Sequence, residues 1–287
     1  MNGANRNAVL IGHSGFLGTA LRAVIEAQPG ARVDLASGDL VRQVLEGNGH
    51  QVVSSLFAPG VAQDWICAVG IVNPGADPAV IEAINVEFPR RLYALLGNLA
   101  PPGRVRLVTI GSVLESHSAL ASSNAYLASK SRMFEALSRA GDPLRWHHIR
   151  LHTLYGGSKR PHPFMFAGQM FEALVRKERF RMSGGAQLRE YHHVHDIAAS
   201  IWSFLSGDGQ DQMIELSSGE PIRLRDLASA VFKYFNEPDL LEVGSKIHSQ
   251  GEVFESIYQR SPYLAANRDP IEGVVCWFKE LNVGRSR

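Results

Sequence analysis

Tyr126 and Lys130 lie four positions apart in the segment SNAYLASK of residues 123–130. This spacing decides whether the two side chains can act together. In a helix such residues share one face. A free phenol titrates near about 10, so a tyrosine exchanges protons efficiently at neutral pH only when a nearby cation favours the phenolate. Ser112, after a β-branched apolar run, could donate a hydrogen bond to a carbonyl oxygen as it gains charge. The three residues predict a proton-transfer site. The alternative is an exposed helix on which the tyrosine and the lysine are incidental.

A glycine-rich turn follows the first apolar run, in the segment AVLIGHSGFLG of residues 8–18. The run predicts a buried parallel strand, and a helix is expected from Phe16 to about Ala27. Gly12 would end the strand, Gly15 would let a pyrophosphate approach the backbone, and Gly18 would let the helix pack closely. The helix N-terminus would attract the phosphates. The turn therefore predicts an NAD(P) site, with an ordinary strand-to-helix turn as the alternative.

The composition excludes several classes of protein. The chain has 287 residues, of which 45% are apolar and 20% charged, so it can bury a large core. A net charge of +1 suggests neither a nucleic-acid partner nor a polybasic membrane patch. Cys67 and Cys276 lie far apart in apolar contexts and indicate buried thiols rather than a disulfide. No apolar signal segment or membrane-spanning run is evident. We therefore expect a cytoplasmic protein.

Strand and helix patterns alternate through the first half of the chain, which predicts an α/β fold with a Rossmann-type doubly wound parallel sheet. Residues 1–158 are expected to form the NAD(P)-binding domain. Residues 159–287 are expected to form mainly a smaller α/β substrate-binding lobe, with segments near 190–220 returning to the sheet. Two local expectations are a strand near residues 51–54 and a helix N-cap at Asp196. A single long helix is expected over residues 79–99.

The choice between NAD and NADP depends on the end of the second strand, expected at residues 31–36. NAD-binding units usually place a carboxylate there to hold the ribose hydroxyls. Here Asp34 comes early, Asp39 comes late, and Ser37 stands at the strand end. Without a carboxylate a 2′-phosphate is tolerated, although no arginine lies immediately beside it. The pattern slightly favours NADP(H) over NAD(H).

Several motifs, in order and spacing, resemble those of the extended short-chain dehydrogenase/reductase family, specifically its nucleotide-sugar epimerases, dehydratases and ketoreductases. The resemblance covers most of the chain. The motifs are the turn of residues 12–18, the segments Asp77-Pro78 and Asn85-Val86, Ser112 with the Y-x-x-x-K pair, Arg150 to Gly156, the segment REYHHVHD of residues 189–196, Ser217 to Pro221 and Ile271 to Val274. The chain departs from the family pattern at Thr153, where many members carry an asparagine, and at Ala68-Val69-Gly70.

The resemblance implies a set of site residues. The catalytic residues would be Ser112, Tyr126 and Lys130. The cofactor-binding residues would be Gly12, Ser14, Gly15, Phe16, Leu17, Gly18, Ser37, Ala68, Val69, Gly70, Ile110, Tyr126, Lys130, Leu151 and His152. The substrate-binding residues would be Val113, Thr153 and Arg189, the last of these offering a planar fork that matches phosphate oxygens. His152 could instead be a packed core histidine, and Arg189 could instead form a surface salt bridge.

The histidines of residues 192–195 invite a metal hypothesis, because His193 and His195 would share a strand face. No third ligand stands at a suggestive spacing, so no metal is expected.

The leading functional hypothesis is an NAD(P)-dependent oxidoreductase of a nucleotide-linked sugar, a 4-ketoreductase with Tyr126 as general acid. The alternatives are an NAD-dependent epimerase or dehydratase with the same three residues, and a non-catalytic NAD(P)-binding protein.

The helices expected over residues 79–99 and 126–140 carry apolar residues on more than one face. In the family that the chain resembles, such helices pair across a two-fold axis, so we expect a homodimer. The alternative is that the core of one chain buries these residues. They are Leu92, Leu95, Leu96, Met133, Phe134 and Leu137.

Overall fold

The computed structural model describes residues 6–58, 60–100, 103–141, 144–207, 209–247 and 258–283. The chain divides into two compact units. The first comprises Met1–Leu151 and Ala198–Leu216, and the second comprises His152–Ile197 and Ser217–Arg287. The sequence placed the first division after residue 158, whereas the two units divide after Leu151, at the end of a strand.

The described residues contain strands and helices in the order that an α/β protein requires. The strands are β1 (Arg6–Ile11), β2 (Arg32–Leu35), β3 (Ala62–Cys67), β4 (Val105–Ser112), β5 (Arg145–Leu151), β6 (Thr153–Tyr155), β7 (Phe180–Met182), β8 (Leu188–Arg189), β9 (Tyr191–His193), β10 (Met213–Leu216), β11 (Ile222–Arg223) and β12 (Leu241–Val243). The α-helices are α1 (Phe16–Glu26), α2 (Gly38–Leu45), α3 (His50–Leu56), α4 (Pro78–Glu82), α5 (Phe88–Leu99), α6 (Ser118–Ser123), α7 (Ala125–Ser138), α8 (Phe166–Arg176), α9 (Val194–Ser206), α10 (Leu224–Tyr234) and α11 (Pro270–Glu280). A π-helical segment spans Ala83–Glu87, and 3₁₀ helices span Val113–Ser116 and Pro238–Leu240.

The first unit contains a six-stranded sheet in the spatial order β10-β5-β4-β3-β1-β2. Every neighbouring pair is parallel. The chain passes from β1 to β2 on one side and then returns to place β3 on the other side of β1. In such sheets ligands bind at the carboxyl ends of the strands where the direction reverses. The predicted Rossmann-type parallel sheet is thus confirmed.

The sheet is stabilised by burial of its apolar strands and the helices that cover them. A core cluster includes Trp65 on β3, Phe88 and Tyr93 on α5, and Trp146 on β5, all buried. Burial runs along β3, β4 and β5 without alternation, because a parallel sheet is covered on both faces. The sheet also buries an ion pair, in which Arg106 on β4 donates to both carboxylate oxygens of Asp64 at 2.6 and 2.7 Å. Removing one partner of such a pair leaves a buried charge uncompensated.

The segment expected to form a strand near residues 51–54 is instead helix α3. The apolar run is short, and such a run does not distinguish a strand from a buried helix by periodicity alone. The helix buries Val53 fully, while Gln51 and Ser54 are exposed. Packing against α2 and α5 decided the conformation.

Asp196 is not the N-cap of its helix, because α9 begins two residues earlier, at Val194. The helix start is instead stabilised by His193, whose Nδ1 accepts a hydrogen bond from the backbone N–H of His195 at 3.3 Å. Asp196 lies in the first helical turn, where a negative charge is favourable. Its carboxylate accepts two hydrogen bonds from Arg268, both 2.8 Å long.

The apolar side chains that suggested a homodimer pack within one chain. Leu92, Leu96, Met133 and Leu137 belong to the core cluster, and the partly buried Leu95 and Phe134 pack against it. The core of a single chain therefore accounts for these positions, and the homodimer stays a prediction.

The described residues of the second unit form three short strand pairs and the helices that accompany them. β6 pairs with β9 and β7 with β12 in parallel, and β8 pairs with β11 antiparallel. Its core holds aromatic pairs such as Phe171 against Phe278 and Phe180 against Phe232. Among the described residues of both units, the helices lack the combination of length and apolar character that a membrane crossing requires.

Candidate active site

The glycine-rich turn lies at the reversal point of the sheet, between β1 and α1. Gly12 has φ +85°, and a Cβ there would lie 2.6 Å from the backbone N of Val69, so only glycine fits. The N–H of Gly15 donates to the carbonyl of Gly12 at 2.9 Å and closes the turn. The turn is thus held directly against the residues that follow β3.

The turn has the features that a phosphate group requires. Gly15 precedes α1 and has no side chain to cap the helix N-terminus, and the first helical turn contains no acidic residue. In addition, the Nδ1 atom of His13 is buried without a hydrogen-bond partner among the described residues. A helix N-terminus with glycine on its approach can bind a pyrophosphate. The residues present therefore fit a dinucleotide, and His13, which lies between two of the glycines and was not predicted, is a candidate contact for it.

The end of β2 presents Ser37 without a carboxylate that is free to bind a ribose. Asp34 accepts a hydrogen bond from Arg32 at 3.1 Å, and Asp39 accepts one from Arg42 at 2.8 Å. Both arginines are exposed. Each acidic group near this strand end is thus already paired with an arginine.

Tyr126 and Lys130 lie in the first two turns of α7, which begins where the side chain of Asn124 accepts a hydrogen bond from the N–H of Leu127 at 3.1 Å. The Nζ atom of Lys130 lies 5.8 Å from the centroid of the Tyr126 ring. Lys130 is only 6% exposed, an unusual burial for a lysine. The structure therefore brings these two predicted residues together.

Asn85 connects this helix to the end of β3 and was named in the sequence analysis only as part of the family pattern. Its side chain bonds both the N–H and the carbonyl of Ile71, at 2.8 and 2.9 Å, and donates to the hydroxyl of Ser129 at 2.9 Å. It lies in the π-helical segment that interrupts the long helix expected there. A Cβ on Gly70 would lie 3.3 Å from Asn85 Oδ1 and 3.4 Å from Lys130 Nζ. Gly70 and Lys130 are thus neighbours.

Ser112 is the last residue of β4 and the N-cap of the following 3₁₀ helix. Its hydroxyl accepts a hydrogen bond from the N–H of Leu114 at 3.3 Å, and its own N–H donates to Glu115 Oε2 at 2.9 Å. This reciprocal arrangement is a capping box. The hydroxyl proton is not used by these two bonds, so Ser112 can still act as a donor.

Burial changes the acidity of the groups around α7. It raises the pKa of Tyr126 well above its ordinary value, and the negative charge of Glu115 raises it further. Burial lowers the pKa of Lys130, while Cys67 and Glu115 act in the opposite direction. Burial also raises the pKa of the Cys67 thiol to about 11. In the protein alone Tyr126 therefore keeps its proton at neutral pH.

Most of the predicted site residues lie in the first unit, and three of them lie in the second. In the first unit they follow the carboxyl ends of the strands: residues 12–18 after β1, Ser37 after β2, residues 68–70 after β3, Ile110, Ser112 and Val113 at the end of β4 or directly after it, and Leu151 at the end of β5. Ser112 pairs in register with Leu151. His152, Thr153 and Arg189 belong to the second unit.

In the second unit His152 is part of a buried polar cluster with Glu190 and His192. Ligand atoms of these three residues lie within 4.8 Å of one another, a spacing compatible with a metal ion. However, the Glu190 carboxylate already accepts hydrogen bonds from Ser218, from Gly219 and from His192 Nε2 at 3.0 Å. Burial lowers the pKa of His152 to about 4, so its imidazole is neutral. The carboxylate is satisfied without a metal, and the absence of a metal stays a prediction.

Thr153 and Arg189 are the other predicted site residues that belong to the second unit. Thr153 begins β6, and its N–H donates to the carbonyl of Glu190 at 3.3 Å. Arg189 ends β8, is half-buried, and donates from Nη1 to the carbonyl of Leu188 at 2.7 Å.

The sheet order and the turn define a Rossmann-type α/β protein. No family model matches the chain, and no curated protein matches it. Solved structures share the fold over nearly the whole length. RMD from Pseudomonas aeruginosa, complexed with NADPH, has TM-score 0.75 and 17% identity and covers 97% of this chain and 99% of its own.

Two further structures show the same similarity. MoeE5 in complex with UDP-glucuronic acid and NAD has TM-score 0.73 and 18% identity, over 96% of this chain and 98% of its own. The UDP-glucose 4-epimerase of Thermus thermophilus, in complex with NAD, has TM-score 0.71 and 19% identity, also over 96% and 98%. At these identities the similarity establishes the fold.

Proposed function

We propose that this chain is an NAD(P)-dependent oxidoreductase of a nucleotide-linked sugar, of the extended short-chain dehydrogenase/reductase type, and that it reduces a 4-keto group. The observation that carries the proposal is the buried Nζ of Lys130, 5.8 Å from the Tyr126 ring and next to Gly70. The solved structures with the same fold support it, since they contain NAD or NADPH and one also contains a UDP-sugar.

In this mechanism Tyr126 is the general acid. A bound cofactor would supply the hydride for the carbonyl carbon, and the phenol of Tyr126 would give its proton to the carbonyl oxygen. Burial and Glu115 keep the phenol protonated, which suits a proton donor in the direction of reduction. Proton donation leaves a phenolate in a buried site, and the nearby Lys130 stabilises that charge.

Ser112 and Lys130 complete the site. The hydroxyl of Ser112 stabilises the oxygen that gains negative charge by donating a hydrogen bond to it. Lys130 would also hold the nicotinamide ribose. The turn of residues 12–18 would bind the pyrophosphate, and Ser37 would lie beside the adenosine ribose. Val113, Thr153 and Arg189 are proposed substrate contacts, with Arg189 on the diphosphate.

A 4-epimerase is the second candidate. It would use Tyr126 first as base and then as acid at one carbon, and the shared fold with a UDP-glucose 4-epimerase favours it. A dehydratase would use the same residues. In an epimerase the cofactor is regenerated in each cycle, whereas a reductase consumes it.

The assay follows oxidation of NADPH or NADH with a panel of 4-keto sugar nucleotides, and interconversion of unmodified sugar nucleotides without added cofactor. We expect net oxidation with one of the keto sugars and a fall in kcat of about 10²–10⁴ in Tyr126→Phe, with the affinity for reduced cofactor nearly unchanged. Tyr234→Phe is the matched control, because Tyr234 is exposed. Wild-type turnover by Tyr126→Phe would remove the mechanism and leave a binding protein or another acid.

Interconversion without net oxidation would identify the epimerase instead.

Light scattering at micromolar concentration tests the expected homodimer, and the mass of a monomer would reject it.

A further inference from the structure

A buried polar network lies directly beneath Ser112, and the mechanism above does not use it. The Glu115 carboxylate, fully buried, accepts hydrogen bonds from His148 Nε2 and from Arg150 Nε, both at 2.8 Å, and from the N–H of Ser112 at 2.9 Å. His148 Nδ1 lies 2.9 Å from the hydroxyl of Thr109. A carboxylate with these partners is held in one position.

The network keeps Glu115 ionised. Burial alone would raise the pKa of this carboxyl, but the hydrogen bonds from His148, Ser112 and Arg150 together hold it below its usual range. Burial lowers the pKa of His148. Arg150, whose Nη1 is also 3.3 Å from Glu215, faces the carboxylate from β5 as a cation.

The segment that carries this charge packs against the helix that carries Tyr126 and Lys130. The 3₁₀ helix of residues 113–116 packs against α7. The negative charge of Glu115 raises the pKa of Tyr126, and it opposes the lowering of the pKa of Lys130 by burial. The groups that face this charge are therefore Tyr126 and Lys130 from α7, with His148 and Arg150 from β5. Cys67 on β3 acts on Lys130 as well.

We propose that Glu115 is a positioning residue that fixes the backbone at Ser112 and uses its buried charge to set how readily Tyr126 gives up its proton when oxidised cofactor binds. The inference rests on the proposed function and deepens it. A negative charge beside a phenol opposes loss of its proton. The same charge favours the protonated form of Lys130, so one carboxylate keeps both members of the pair in the state required for reduction.

The test measures affinity for oxidised NAD or NADP, whichever the wild type binds more tightly, as a function of pH. The positively charged nicotinamide ring favours the phenolate, so affinity should rise with pH as Tyr126 ionises. Tyr126→Phe should abolish this rise, which would show that the rise comes from ionisation of Tyr126. Glu115→Gln should move the onset of the rise to lower pH by about 1 unit. Arg150→Gln should move it to higher pH, because it leaves the charge of Glu115 less compensated.

The controls separate charge from folding. Glu135→Gln removes a carboxylate from an exposed position on α7 and should leave the onset unchanged. Glu115→Asp retains the charge, so its onset should lie close to that of the wild type. This comparison remains available if Glu115→Gln does not fold. Opposite shifts in Glu115→Gln and Arg150→Gln support the proposal, since a merely structural role would not move the onset in two directions.

An onset that stays at the wild-type pH in both charge variants would overturn the role of Glu115 and leave the proposed function intact. A wild type that binds neither cofactor overturns the proposed function and this inference together. The two failures are thus distinguished by the wild-type measurement.

Discussion

A Cβ atom on Gly18 would lie 2.0 Å from the carbonyl oxygen of Gly12, so the first turn of α1 packs directly on the turn that ends β1. Two glycines six residues apart therefore hold the helix N-terminus against the strand end. Any larger residue at position 18 must push these two backbone segments apart.

Gly18→Ala should accordingly weaken cofactor binding at least tenfold and destabilise the protein by about 1–3 kcal/mol, the usual cost of overpacking. Calorimetric titration and thermal unfolding measure the two effects. Gly207→Ala is the matched control, because a Cβ there meets other atoms only at 3.4 Å or beyond. Equal affinity in Gly18→Ala and the wild type would show that this packing does not shape the cofactor site.

Ser112→Ala should lower kcat about 10²-fold, because the oxygen that gains charge loses a hydrogen-bond donor. Lys130→Met should slow the chemistry and also weaken cofactor binding, since Lys130 has two roles. Combined with Tyr126→Phe, these losses should be smaller than the product of the single effects, because the three residues act as a unit. Steady-state kinetics of the single and double variants measure this. Strictly multiplicative losses would indicate three independent contributions.

The cofactor preference should follow the end of β2. We expect NADPH to bind more tightly than NADH, and Ser37→Asp to weaken NADPH more than NADH through repulsion of the 2′-phosphate. Ser55→Asp, on the exposed face of α3, adds the same charge elsewhere and should change neither affinity. Binding of NADH to the wild type at least tenfold more tightly, about 1.4 kcal/mol, would show the preference to be wrong.

The protein should lose stability in mild acid because of buried neutral histidines. Burial lowers the pKa of His147 to about 4, whereas in the unfolded chain it is about 6.5. The unfolded chain therefore takes up the proton first, and stability falls as the pH drops from about 6.5 towards 4. His152, whose pKa is also lowered to about 4, acts in the same direction.

Each of the two histidines should cost about 2 kcal/mol at pH 5 relative to pH 8. His147→Asn keeps a donor for the Asp211 carbonyl, which lies 2.7 Å from His147 Nδ1, and should reduce the pH dependence. His50→Asn, on the exposed start of α3, should leave it unchanged. Urea unfolding across this pH range measures the slope. A slope in His147→Asn equal to that of the wild type would assign the acid sensitivity elsewhere.

The sequence by itself determined the Rossmann-type sheet and the spacing of the candidate site. Apolar runs without alternation identify parallel strands that are covered on both faces, and Gly12 and Gly18 identify a turn that no side chain can enter. Tyr126 and Lys130 could be placed on one helix face because a helical repeat is a local property. These features depend on residues that are near one another in the chain, so local sequence patterns are enough to predict them.

Only the tertiary structure decided the features that depend on distant residues. Residues 50–56 became a helix because α2 and α5 pack against it. The start of α9 lies at Val194 and is stabilised by His193, while Asp196 in the first turn is engaged by Arg268, 72 residues away in the chain. Glu115 gave no signal in the sequence, because its importance arises from burial beside His148 and Arg150 on β5. Burial also raised the pKa of Tyr126, and no local pattern reports how completely a side chain is removed from water.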